Sequence, residues 1–107
     1  MFDKLEDLER RYEEIQAELS EPEVVNDQTR FRKLMKEQTD MGSIVDKYRE
    51  YKNTKKTIEE SLELLDAEND PDMREMIKEE LSSARQRVPE IENELKILLL
   101  PKDPNDE

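Results

Sequence analysis

The side chains of this chain with the chemistry to act are carboxylates and one run of cations. Asp66, Glu68, Asp70 and Asp72 alternate along the sequence in a spacing that suggests a calcium loop. Such a loop needs glycine at its sixth position for a tight turn and a bidentate glutamate at its twelfth. Counting from Asp66, those positions hold Pro71 and Ile77. The segment therefore reads as a solvated turn between helices with an N-cap inside it. Adjacent pairs, Glu13 with Glu14 and Glu79 with Glu80, have the atoms of a glycosidase-like acid and base. That work requires one carboxyl group with a raised pKa inside a cleft, which a thin helical chain does not supply. Histidine and cysteine are absent from the sequence. Imidazole bases, thiolate nucleophiles, disulfides and the usual zinc ligands are thereby excluded. No catalytic residue, metal site or cofactor is assigned, and the chain reads as a non-enzyme.

The cations are more promising. Lys47, Arg49, Lys52, Lys55 and Lys56 interleave with Tyr48 and Tyr51, opposed in sequence by Asp46 and Glu50. With Arg30, Arg32, Lys33 and Lys36 they make half of the chain's positive charge. Basic residues among aromatics can track a phosphate backbone. Their other reading is ion pairing with carboxylates of neighbouring helices on a solvated face.

These side chains must be positioned by helices. From Phe2, Leu5, Leu8, Tyr12, Ile15 and Leu19 alternate at three and four residues, one stripe of an α-helix. A helix over about 3–20 is predicted, capped by Asp3 with Glu6 as its capping-box partner and ended by Pro22. A second, over about 27–66, starts after Asn26 or Asp27, with a bend expected at Gly42 and weak packing between Tyr51 and Ile58. A third, over 71–100, opens on Asp70 and Pro71, a strong start signal. Along it Ile77, Leu81, Ala84, Val88, Ile91, Leu95 and Leu98 form a heptad seam, with a kink expected near Arg85 from Pro89 unless the seam holds both halves in line. Met73 and Met76, near its start, read as core filler. The fold class is all-α, an antiparallel three-helix arrangement with a long coiled-coil-like hairpin. Residues 1–100 form one helical domain, and 101–107 read as an extended linker.

Composition agrees. With 33% hydrophobic and 45% charged residues, the chain can bury a thin seam but not a broad core. The opening MFDKLEDLERR suits neither a transit peptide nor a signal peptide, and the longest apolar run is Ile97 to Leu100. A soluble, cytoplasmic protein is expected. The formal charge of −12 repels a phosphate backbone unless cations segregate on one face. A protein partner is therefore the first expectation, and neither a membrane nor DNA is expected.

Three stretches carry a family resemblance: EPEVVNDQTRFRKLMKEQ, DPDMREMIKEEL and, most specifically, the closing LKILLLPKDPNDE. They resemble the amino-terminal domain of bacterial class I peptide chain release factors, and the closing stretch is most like the type that reads UAA and UAG. The resemblance covers the whole chain. It implies an arm of a larger factor that directs translation termination on the ribosome. It also implies contact with the large-subunit stalk base, made of a ribosomal protein and its rRNA, and interplay with the translational GTPase of termination. The family's Gly-Gly-Gln and its codon-reading tripeptide are not here: Gly42 is the single glycine, and no proline is followed two residues later by threonine. Catalysis and codon reading are thus expected in domains beyond Glu107. The candidate ribosome contact is the basic stretch Lys47, Arg49, Lys52, Lys55 and Lys56, or the turn around Asp70.

A reading from another class is a free-standing acidic coiled-coil adaptor or chaperone of the prefoldin sort. LLLPKDPNDE separates the two, because a domain linker explains it and an adaptor does not. Oligomeric state separates them too: the release-factor arm is expected to be monomeric.

Overall fold

The structure, a computed structural model, describes residues 1–101; residues 102–107, nearly all of the expected linker, lie outside the described residues. Among the described residues there are four helices and no strand: α1 (Phe2–Glu18), α2 (Pro22–Val25), α3 (Gln28–Ala67) and α4 (Pro71–Leu98). The all-α class holds, with one helix more than the hydrophobic periodicity predicts. The chain forms two compact units, Met1–Asp46 and a second beginning at Lys47, and α3 contributes to both.

In the first unit, Ile15 of α1, Val24 of α2 and Leu34 of α3 form a buried cluster flanked by Leu19, Phe31 and Met41. Val24, fully buried, is the reason α2 exists. Pro22 does end the preceding helix, but it also occupies the first turn of α2, where a missing N–H costs nothing. The one-turn helix then presents Val24 to Ile15. The expected capping box at Asp3 is not formed: the helix starts one residue earlier, with Met1 as N-cap, and Asp3 lies in its first turn. There its charge still opposes the positive end of the helix dipole. α1 also stops at Glu18, short of the expected Ser20, and Leu19 is its C-cap. Asp27 does cap α3, its Oδ1 accepting from the Arg30 backbone N–H at 3.1 Å.

In the second unit, residues 47–67 of α3 and the whole of α4 form an antiparallel hairpin, since Lys47 meets Glu94 at one end and Leu65 meets Arg74 at the other. Ile77, Leu81, Ala84, Ile91 and Leu95 of the heptad seam are buried, and Ile91 and Leu95 are wholly so. Each such aliphatic side chain gains about 1.5–3 kcal/mol from leaving water. Tyr48, Tyr51 and Ser61 are the buried positions of this half of α3, and nothing between Tyr51 and Ile58, where the apolar stripe thins, is fully buried. Helical assignment runs unbroken through Gly42 in α3 and Pro89 in α4. Ala84 and Ile91, the seam residues to either side of Pro89 and the half-buried Val88, are buried, and they keep the helix continuous where one backbone bond is lost.

The turn at 68–70 is closed by Arg74. Its Nη1 donates to the carbonyls of Leu65 at 2.6 Å and Glu68 at 2.9 Å, two acceptors at the end of α3 that no helix N–H reaches. Asp70 is the N-cap of α4 with Pro71 behind it, as expected, although its carboxylate makes no capping bond. Met73 and Met76 are not core filler: they are 44% and 63% exposed. The buried stripe of α4 starts at Ile77 and leaves both methionines beside it.

Candidate functional site

The five cations of the basic stretch lie on α3, on two and a half turns of one helix, and cannot all share a side. Lys47 precedes the buried Tyr48 and leans over the hairpin, 3.0 Å from Glu94 and 3.1 Å from Glu50. Lys52 and Lys55 instead cover aromatic faces: the Lys52 Nζ lies 4.7 Å from the Tyr48 ring centroid and the Lys55 Nζ 5.8 Å from that of Tyr51. Both rings hold ammonium groups by their negative faces. The rings themselves stack at 6.4 Å with 13° between planes, and the Tyr51 hydroxyl reaches toward Glu92 at 3.5 Å. Arg49 is half-buried, and Lys56 is exposed, at the limit of an ion pair with Glu60 at 3.9 Å. The structure thus joins Lys52 and Lys55 into one aromatic-backed set, with Lys47 drawn away to α4.

Lys47 belongs to a network that joins the helices of the hairpin. Arg87 Nη2 donates to both carboxylate oxygens of Glu50 at 3.1 Å and to Glu94 Oε2 at 3.1 Å, while Nη1 reaches Glu90 at 3.1 Å and Glu94 Oε1 at 3.2 Å. Hydrogen bonds from Lys47 and Arg87 hold the Glu50 carboxyl below the usual range, and those from Arg87 and Lys47 do the same for Glu94. In return, Glu94 and Glu50 raise the pKa of the Lys47 ammonium. Arg87 and Glu94 escape a search for basic clusters, yet they precede Val88 and Leu95 of the seam, the flanking positions where coiled coils carry interhelical ion pairs.

The first unit has a smaller counterpart. Arg11 donates from Nε and Nη2 to the two oxygens of Glu37, at 2.9 and 3.0 Å, a bidentate pair that lowers the Glu37 pKa. Of the other cations there, Lys36 pairs with Asp40 at 3.0 Å, one turn along the same helix.

At the far end of the hairpin the balance of charge reverses. Between Glu59 and Glu80 ten acidic residues face two basic ones, Arg74 and Lys78. The first is committed to the turn carbonyls, and the second lies 3.6 Å from Glu75. Glu68 is partly used as well, accepting from the Asp70 N–H at 3.1 Å. Among the described residues no three acidic side chains converge as a metal site would require, and no helix is long and apolar enough to cross a membrane.

A helical hairpin with ion-paired flanks and a bare acidic tip offers surfaces for contact, with the basic set and the tip as its two distinct ends. The PCRF domain family model matches residues 8–107. The chain is 71% identical over 99% of its length to peptide chain release factor 1 of Lachnoclostridium phytofermentans, and 59% identical over 100% to that of Agathobacter rectalis. A Geobacillus protein of the same name is 50% identical over 100% of the chain. In each case the chain spans 30% of the relative's length. No solved structure matches the chain.

Proposed function

The chain belongs to the PCRF domain family, and from that membership we propose that it is the ribosome-facing amino-terminal arm of a peptide chain release factor acting at UAA and UAG stop codons. The observation that carries this reading is the near-complete match to proteins named peptide chain release factor 1. The arm itself performs no chemistry, because its carboxylates are solvated or ion-paired and it has no thiol or imidazole. Hydrolysis and codon reading belong to the remaining length of the factor. The free-standing adaptor does not account for the family match.

The arm's partners in this reading are the large-subunit stalk base, protein and rRNA, and the translational GTPase of termination, all in the cytoplasm. Lys52, Lys55 and Lys56 are the part of the basic stretch that a phosphate backbone can approach, with Arg49 beside them and Lys47 held by Glu94. Two aromatic rings behind the lysines fix their stems, so less side-chain entropy is lost when a phosphate binds.

The test is peptide release from ribosomes stalled with a stop codon in the A site. The full-length factor carrying this chain releases peptide at UAA and UAG but not at UGA, the chain alone releases none, and deletion of residues 1–100 raises the factor concentration needed. Release at UGA, or by the isolated chain, overturns the reading.

A further inference from the structure

The ion-paired network reveals which side of the hairpin its members share. Lys47, Glu50 and Glu94 each precede a buried residue, Tyr48, Tyr51 and Leu95, by one position. One position is a rotation of about 100°. In antiparallel helices the same rotation leads to the same side of the pair, which is why these groups meet. The rule extends to the tip: Leu64 precedes the half-buried Leu65, Met73 precedes the half-buried Arg74, and Met76 precedes the buried Ile77. Leu64, Met73 and Met76 therefore lie on one side, 54%, 44% and 63% exposed. Glu60 and Glu80 precede the buried Ser61 and Leu81 and, facing each other in the antiparallel register, close that same side at the end away from the turn.

We infer that this tip face, an apolar centre of Leu64, Met73 and Met76 between the level of Glu60 and Glu80 on the hairpin and the acidic turn at 68–72, is a docking surface for a protein segment that presents apolar side chains flanked by lysine or arginine. Three exposed large apolar side chains on one side of the hairpin mark a contact surface. The two methionines adapt to the shape of an incoming side chain. Charge selects the partner's class. The tip segment carries eight of the chain's twelve net negative charges, so it attracts a basic protein surface and repels nucleic acid. The Arg74 clasp holds the two helices in register beneath the patch, so the face is preorganised. The inference adds to the ribosomal reading, in which the turn around Asp70 is one candidate contact, by naming the class of partner the tip accepts; its test uses no ribosome, so its failure and the failure of that reading are distinguishable.

The test uses the isotopically labelled chain and a short helical peptide with leucines at i, i+3, i+4 and i+7 and lysines elsewhere. Its control has serine for each leucine. Binding of the leucine peptide with amide shifts confined to 60–80, weakened about tenfold in the serine control and in Leu64→Ser/Met73→Ser/Met76→Ser, is expected. Met76→Ser alone, the most exposed of the three, guards against a misfolded triple variant, and helix content is checked by circular dichroism. The inference is overturned by absence of binding, by equal binding of the control, by shifts centred on Ile97–Leu100, or by a single-stranded RNA that binds the tip as tightly as the peptide.

Discussion

Arg87 of α4 holds both oxygens of Glu50, 37 positions earlier on α3, at 3.1 Å through a single nitrogen, while its other nitrogen grips Glu90 and Glu94. The guanidinium lies where the two helices of the hairpin run side by side, and its donors satisfy three carboxylates that would otherwise repel one another. Arg87→Ala is expected to lower the thermal midpoint more than Lys47→Ala, since Lys47 serves only two of them. Arg87→Lys restores part of the loss, because an ammonium carries the charge without the fork. The pairs are partly exposed, so the shifts are modest, of the size usual for surface networks. Equal midpoints for wild type and Arg87→Ala, read by circular dichroism, would contradict a stabilising role.

Acid should act on the same groups. Glu50, Glu94 and Glu37 have folded-state pKa values lowered by their arginine and lysine partners. A carboxylate of this kind stabilises above its unfolded pKa, and the stabilisation is lost as pH falls through the folded value. The midpoint is therefore expected to hold from neutral pH down to about pH 5 and to fall below about pH 4.3, the ordinary glutamate value. Protonation also relieves the repulsion of a chain at −12, which opposes the loss. The double variant Glu50→Gln/Glu94→Gln isolates the pairs: its midpoint falls less between pH 5 and pH 3 than the wild type's.

The Arg74 clasp gives a local signature. Arg74→Ala leaves the carbonyls of Leu65 and Glu68 to water and loosens the turn. The expected cost is about 1 kcal/mol. Hydrogen exchange should quicken in the last turn of α3 and the first of α4 while the amides near Ile91 keep their protection. Uniform loss of protection would mean that the clasp supports the whole hairpin.

Core and tip respond oppositely to truncation. Ile91→Ala, at a position with no exposure, is expected to cost about 2–4 kcal/mol. Leu64→Ala, more than half exposed, should stay within about 0.5 kcal/mol. Urea unfolding of both variants checks the contrast, and a large effect at Leu64 would show that the tip leucine is structural.

For the basic set, Lys52→Glu, Lys55→Glu and Lys56→Glu together should weaken ribosome binding by the full-length factor and flatten its dependence on salt. Each lost phosphate contact removes about 0.7–0.9 from the logarithmic salt slope. Unchanged affinity and slope in a sedimentation assay would remove the lysines from the interface.

Much of this architecture is legible in particular residues. The three-and-four spacing from Ile77 to Leu95 names the buried face of α4 correctly, and Asp27 and Pro71 mark helix starts, because caps and heptads act over one or two turns. The same local logic misses α2: Pro22 reads as a stop, and only the pocket that Ile15 and Leu34 offer to Val24 makes a helical turn there worthwhile. It also places Met73 and Met76 in the core, since apolar character alone does not say on which side of the buried stripe a residue falls.

The sequence by itself determined the class of this protein: helices from periodicity, a thin seam from composition, the exclusion of imidazole and thiol chemistry from the missing histidine and cysteine, and a family from three stretches of wording. Tertiary structure decided how its charges are used. Whether Lys47 faces solvent or Glu94, and whether Arg87 meets Glu50, depends on the register of two antiparallel helices. That register is set by packing between residues tens of positions apart, and no local pattern contains it.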